Sequence, residues 1–195
     1  MPKVTAAYRE ARRDEIARAA MRCLARNGFA NTSMADIIAE SELSAGSIYS
    51  HFASKAEIAQ YVARIVLSSR SEELMEYAEQ RSSPPTPAEI IVFLLDTVAR
   101  AGVSKALLLQ LWAESTVDSE FRAMLNDTLG QLRDAYTSAA LPWLTANGLA
   151  DDEHAVQRAV STMLTLSQGY IAHSALFGDS DPAMYLGTAG RLLQG

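Results

Sequence analysis

The sequence predicts an all-helical protein, and three observations carry that reading. No proline falls between residues 3 and 83, so nothing in that stretch forces a helix to stop. Runs that alternate apolar and polar residues at strand length are scarce, and no Asn-Gly or Asp-Gly pair joins two such runs as a hairpin would. Apolar residues recur instead at spacings of three and four, the signature of one helical face. The chain has 195 residues, of which 49% are hydrophobic and 21% charged. A chain of that length buries a substantial core, and a mean hydropathy of 0.00 excludes a disordered protein. It lacks a run of ~18 apolar residues that a membrane-spanning helix needs, and its first residues hold no apolar block of the secretory kind. Cys23 is the one cysteine, which excludes an internal disulfide and fits a reducing, cytoplasmic location.

The elements follow in order. The first helix is expected from about Ala7 to Asn27. Ile16, Ala20, Cys23 and Leu24 make its apolar face, while Arg18, Arg22 and Arg26 fall on another. Asn27-Gly28 is a C-terminal cap pair. Cys23, on the inward face, reads as a small core residue. Ser33 with Asp36 three residues on is a capping pattern, opening a short helix that stops near Ser41. Ser44 caps a second short helix, Ala45 to His51, with Ile48 inward. Ser54-Lys55-Ala56-Glu57 is a capping box that opens a long helix reaching about Arg81. Helix, short turn, helix is the helix-turn-helix arrangement, and Leu43, Ile37, Ile48 and Phe52 are placed to hold the two short helices together. Ser82-Ser83-Pro84-Pro85-Thr86-Pro87 is the clearest internal boundary.

Beyond it the spacing predicts a helix from Ala88 to Arg100 ending at Gly102. Ser104 opens another, apolar nearly all round through Leu107, Leu108, Leu109, Leu111 and Trp112, and therefore expected to be buried. Asp118 or Ser119 starts a long helix that Pro142 should kink before Asn147-Gly148 ends it. A further long helix runs from Asp151 to Phe177, stopped by Gly178. Asp181 and Pro182 open a last one, continuing through Tyr185, Leu186, Ala189 and Leu192.

Charge is segregated. The net charge is −6, which taken alone argues against a nucleic-acid partner. Residues 1–64, however, hold nine Lys and Arg against seven Asp and Glu, and the remainder holds eight against sixteen. Lys3, Arg9, Arg12, Arg13, Arg18, Arg22 and Arg26 cluster near the start, opposed by Glu10, Asp14 and Glu15. A solvated helix face accounts for such a run, but the preponderance of Arg favours phosphate recognition.

One stretch carries a family resemblance. Thr32-Ser33-Met34-Ala35-Asp36-Ile37-Ile38, then Leu43-Ser44-Ala45-Gly46-Ser47-Ile48-Tyr49-Ser50-His51-Phe52, then Ser54-Lys55-Ala56-Glu57-Ile58 resembles the DNA-binding domain of TetR-family transcriptional regulators. Residues 9–60 carry the likeness, and its Ile-Tyr-x-His-Phe-x-x-Lys core is far more specific than a bare helix-turn-helix spacing. Two positions depart from the family's pattern: Glu42 stands where the turn usually has Gly, and Ile38 where the first short helix usually has Ala. A non-glycine residue in a left-handed turn costs ~1 kcal/mol.

A recognition helix meets base edges with its N-terminal residues. Ser44, Ala45, Gly46, Ser47, Ser50 and His51 are small or polar and allow close approach. No Arg, Lys, Asn or Gln lies on this helix, so the strongest base-reading pairs are not available from it, and shape readout gains weight. Tyr49, Lys55, Thr32 and Ser33 are placed for phosphates, and Lys3, Arg9 and Arg12 for the backbone or a minor groove. Each has a plainer reading. Ser33 and Ser44 cap helices whatever else they do, Tyr49 packs partly into the core, and His51 covers Phe52.

The expected organisation is a DNA-binding domain over 1–54 and a helical effector-binding and dimerisation domain over 55–195. Small residues in the last two helices (Ala159, Ala172, Ala175, Gly187, Ala189 and Gly190) allow close approach of a second copy, giving a homodimer through a four-helix bundle. Phe93, Gln110, Trp112, Glu114, Trp143, Met163, Tyr170 and His173 are the mix of aromatic and sparse polar groups that lines small-molecule pockets, although core packing explains any one of them. No cofactor or catalytic residue is implied. Asp151-x-x-His154 has metal-ligand spacing but stands alone, and no phosphate loop, zinc pattern or nucleophile elbow is present. The resemblance implies a ligand that shifts the dimer between DNA-competent and incompetent shapes, and the expectation is a homodimeric repressor that binds a near-palindromic operator and is released by a small molecule. The alternative is a helical protein-interaction module, which has no need of the basic N-terminal third.

Overall fold

The computed structural model describes residues 5–100, 102–179 and 181–186; for residues 63, 65–72, 75, 78 and 79 it describes only the helical backbone. Lys3, Gly187, Ala189, Gly190 and Leu192 lie outside the described residues. Among the described residues, helices α1 (Ala6–Asn31), α2 (Met34–Ser41), α3 (Ala45–Tyr49), α4 (Lys55–Glu79), α5 (Pro87–Arg100), α6 (Lys105–Val117), α7 (Ser119–Ala146) and α8 (Glu153–Phe177) follow one another. Residues 182–186 are helical again. Among the described residues there is no strand, and no helix is long and apolar enough to cross a membrane.

The capping signals act as the sequence indicates. Ser33 accepts from the Asp36 amide while the Asp36 carboxylate accepts from the Ser33 amide, a complete capping box. Ser44 and Ser104 cap α3 and α6, and Asp118 caps α7. At α4 the box is displaced by one residue. Ser54 Oγ accepts from the Glu57 amide, but the Glu57 carboxylate takes the amide of Ala53 at 2.7 Å. Gly28 breaks α1 at φ +76°, and a last short turn carries the chain on to Asn31. Pro142 does not end α7, which continues to Ala146. The carbonyl that its missing N–H leaves without an intrahelical donor belongs to Ser138, an exposed residue, where water can take that place.

Three apolar clusters organise the fold. The first packs Ile16, Ala20 and Cys23 of α1 against Ile37 of α2, Ile48 of α3, Phe52, and Ile58 and Tyr61 of α4. Full burial of the isoleucine and phenylalanine side chains among them stabilises by ~2 kcal/mol each. Thus the first two turns of α4 belong by packing to the helix-turn-helix unit. The second joins Leu74, α5, α7 and α8, and contains the buried Tyr136–Ser167 hydroxyl pair between α7 and α8. The third is the joint between these halves: Leu24 and Phe29 of α1, Ala59 of α4, Leu107 of α6 and Phe121 of α7.

Helix α6 corrects an expectation. Leu107 is buried, but Leu108, Leu109, Leu111 and Trp112 are only half-buried. The physical reason is a cavity: Leu108, Leu111 and Trp112 face it rather than close-packed neighbours.

Candidate nucleic-acid interface and effector cavity

Helices α2 and α3 are held by Ile37 and Ile48, both fully buried, with Ile38 and Leu43 packed partly against them. Ile38 is therefore accommodated at the rim of the cluster. Glu42 takes up the left-handed conformation itself, φ 58° and ψ 16°. The turn keeps a geometry that glycine adopts freely, and Glu42 carries the strain of a Cβ in that region.

The outer face of α3 is open. Ser44, Ala45, Gly46, Tyr49 and Ser50 are exposed, and Ser47 and His51 half-buried. Space around Gly46 is empty where a Cβ would stand. Ser50 donates to the Ser47 carbonyl at 2.6 Å, leaving its oxygen to accept. Tyr49 is 54% exposed rather than part of the core. His51 lines a concave surface with Thr5, Tyr8, Arg9 and Arg13 from the start of α1. Partial burial lowers its pKa, and Arg13, Arg12 and Arg9 push the same way, so the ring stays neutral at neutral pH.

The arginines divide into distinct roles. Arg22 and Arg26 both bind Glu40 of α2, at 2.6 and 2.5 Å, and so tie α1 to α2. Arg12 pairs with Glu15 at 2.7 Å and donates to the Tyr8 hydroxyl at 2.8 Å. Arg13, which the sequence offers only as one base among several, is a packing residue: its guanidinium lies 4.3 Å from the Phe52 ring centre and 4.6 Å from that of Tyr61. Its Nε is buried without a hydrogen-bond partner. Arg9 and Arg18 are exposed and make no ion pair among the described residues. The run of bases thus offers less free charge than its count suggests, and Arg9 stands beside the end of α3.

Two residues expected at phosphates are engaged elsewhere. Thr32 is buried, and its hydroxyl donates to the Gly28 carbonyl at 2.7 Å. The Lys55 ammonium donates to the carbonyls of Phe29 (2.7 Å), Thr32 (2.9 Å) and Ala30 (3.4 Å), and sits 4.6 Å from the Phe29 ring centre. It closes the C-terminal end of α1, as a cation at a row of orphan carbonyls does. Neither side chain is free for a phosphate in this arrangement.

Gln110 also acts in the joint rather than in a pocket. Its side-chain oxygen accepts from the Phe29 amide at 2.8 Å. A Cβ on Gly28 would stand 2.6 Å from that oxygen, so glycine is required here both for φ and for space. Phe29 further packs on Phe121 with ring centres 5.2 Å apart. One residue at the end of α1 is therefore gripped by α4, α6 and α7.

Next to that joint lies an apolar cavity of about 140 Å³. Its walls are Met21 and Leu24 of α1, Ala59 and Val62 of α4, Val98 of α5, Val103, α6, and Leu125, Thr128, Leu129 and Leu132 of α7. Of the eight ligand candidates only Trp112 lines it. Met163 and Tyr170 are fully buried core, and Trp143 packs at the edge of the same cluster. Phe93 faces a separate groove beside Tyr77 and Leu186. Glu114 is half-buried in α6. His173 is exposed, its ring 5.1 Å from Phe177 and 6.4 Å from Tyr185 between centres. A scattered aromatic composition does not say which residues share a void; the apolar positions of α1 beyond those needed for the first cluster, Met21 and Leu24, are the signal that points to it. His154 is exposed at the start of α8, its amide donating to the capping Asp152. Among the described residues no group of three or more His, Cys, Asp or Glu is arranged to hold a metal.

Comparison with known proteins agrees with this geometry. Residues 16–62 match the family described as bacterial regulatory proteins, tetR family. An uncharacterized HTH-type transcriptional regulator of Bacillus subtilis, YfiR, is 35% identical over 81 residues, which are 42% of this chain and 40% of that protein. The matched segment thus spans less than half of that relative. A TetR-family regulator from Syntrophomonas wolfei has the same fold with a TM-score of 0.75 at 18% identity, over 95% of this chain and 96% of that one. The regulator FadR of Bacillus subtilis, solved in complex with stearoyl-CoA, gives a TM-score of 0.72 at 18% identity, over 92% and 96% of the two chains. Residues 16–62, from within α1 to the first turns of α4, are thus similar in sequence to the tetR-family model, and the chain shares its fold with solved TetR-family transcriptional regulators.

Proposed function

We propose that the protein is a ligand-responsive repressor that binds a near-palindromic operator as a homodimer and is released by an apolar small molecule. The observation that carries this reading is the pairing of an open, capped α3 with a joint that grips α1 beside an apolar cavity. The recognition surface and the candidate effector space share one helix. Ser44, Ala45, Gly46, Ser47 and Ser50 meet base edges, with Tyr49, Ser33, Arg9, Arg12 and neutral His51 at the phosphates. Thr32 and Lys55 act through the helix end they hold. With no Arg or Asn on α3, discrimination rests on close approach and on DNA shape.

Dimerisation is supported by a run of exposed apolar side chains at the end of α8 and just after it: Leu176 (64% exposed), Phe177 (76%) and Met184 (70%). Side chains of that size left in water mark a surface that a partner covers. A fatty-acyl thioester bound by a relative of the same fold supports an apolar effector here, and the role as an operator-bound switch puts the protein in the cytoplasm with the chromosome. The test is selection of bound fragments from the source genome at low and moderate salt. One near-palindrome with steep salt dependence is expected; recovery of no preferred sequence, with or without cell extract, refutes the reading. Analytical ultracentrifugation at micromolar concentration should give a dimer.

A further inference from the structure

The cavity at the joint has a composition that narrows its occupant. No charged residue lines it. The hydroxyl of Thr128 is turned to its own helix, donating to the Met124 carbonyl, so the walls offer little for a water to bind. A buried water needs two to four polar partners, and aliphatic-lined voids of ~150 Å³ stay dry and admit a molecule of benzene size. At about 140 Å³ the space is far below the ~300 Å³ at which drug-sized pockets begin. Its walls are also unusual in origin. Met21 and Leu24 come from α1, the helix that carries the recognition unit, and Leu107 and Leu111 come from α6, the helix that carries Gln110.

We infer that this void is a binding site for a small uncharged hydrocarbon, and that its occupant acts on α1 directly, through the separation of α1 from α6. This deepens the ligand-responsive reading and rests on it for its biological meaning, though not for its chemistry. A hydrocarbon of six or seven carbons fills the space and holds the two helices in register. A longer one exceeds the volume and wedges α6 away from α1. The first bond to stretch is then Phe29 N–H to the Gln110 side-chain oxygen, which spans that gap at 2.8 Å. Loss of that grip frees the end of α1 and the orientation of the helix-turn-helix that α1 supports. The hydrocarbon is either a free molecule or the tail of a longer acyl chain; the same walls accept both.

The test uses the full chain with benzene, butylbenzene and decanoate as probes. Calorimetry measures binding, and hydrogen exchange measures the Phe29 amide. Benzene is expected to bind one site and slow that amide; butylbenzene is expected to bind and speed it at least tenfold. Leu129→Trp, on the α7 wall, fills the void and should weaken both by at least tenfold; Val98→Phe, on the α5 side, provides the same test if the first variant does not fold. Binding of alkylbenzenes alone assigns a free hydrocarbon, and binding of decanoate as well assigns an acyl tail. Failure of both alkylbenzenes to bind, binding that survives the filling variants, or an unmoved Phe29 amide overturns the inference. None of these readouts needs DNA, so a failure to find an operator strikes the repressor reading alone.

Discussion

Replacing Lys55 by methionine separates two roles that this side chain can have. The ammonium holds three carbonyls at the end of α1, with the Phe29 and Thr32 contacts partly buried at 2.7 and 2.9 Å. Hydrogen bonds to a charged group contribute ~1.5–3 kcal/mol each, and the cation over the Phe29 ring at 4.6 Å adds ~0.5–1 kcal/mol. These are not additive, and water replaces the ammonium at the exposed Ala30 carbonyl. Methionine keeps the aliphatic stem. A loss of about 2–4 kcal/mol follows. For a chain of this length 1 kcal/mol moves the midpoint by ~2–4 °C, so thermal unfolding should come about 4–16 °C earlier. Circular dichroism at 222 nm measures it. DNA affinity should fall only as far as the joint loosens, with the slope of log K against log salt unchanged, because no phosphate contact is lost. A midpoint within ~2 °C of the original, together with a salt slope lower by about one, would mean that Lys55 is a phosphate ligand after all, and would refute the argument.

Other perturbations test other links. Glu42→Gly relieves a left-handed side chain at φ 58° and, after the extra chain entropy of glycine, should stabilise by about 0.5–1 kcal/mol in urea unfolding; a destabilised variant would contradict it. Gly28→Ala strains φ +76° and drives a Cβ onto Gln110, costing about 2 kcal/mol, while Gln110→Ala leaves the Phe29 amide unpaired for about 1 kcal/mol. The double variant should cost less than the sum, since the collision is gone; strict additivity would sink the proposed contact. Glu40 is held below the usual carboxylate range by Arg26 and Arg22. A carboxylate depressed in the folded state supports stability above its unfolded pKa and loses that support as pH falls through the folded one. Stability should therefore decline below about pH 4.5, and less steeply in Glu40→Gln, as compared by urea unfolding at pH 5 and pH 3.

The helix boundaries were legible because their causes are local. Ser33, Ser44, Ser104, Asp118 and Gly28 act on amides or dihedral angles within a few residues of themselves, so the linear order already contains the answer. Helix α3 was legible for the same reason, being short, capped and anchored by Ile48 within it and Phe52 just after it. Pro142 was legible too: α7 runs through it to Ala146, and the carbonyl left without its donor belongs to the exposed Ser138.

Charge and polarity were read less well, because a side chain's partner is set by which helix crosses it. Arg22 and Arg26 look like free phosphate ligands until α2 brings Glu40 between them. Lys55 reads as a phosphate contact until the end of α1 folds back over it. Gln110, 81 residues from Phe29 in the chain, reads as a pocket residue until α6 meets α1. The sequence by itself determined the helices, their caps and the helix-turn-helix segment, since these depend on neighbours three or four residues away. Only tertiary packing decided which charges remain free, which polar groups lock the joint and where the cavity lies, because each is a property of the space between helices distant in the chain.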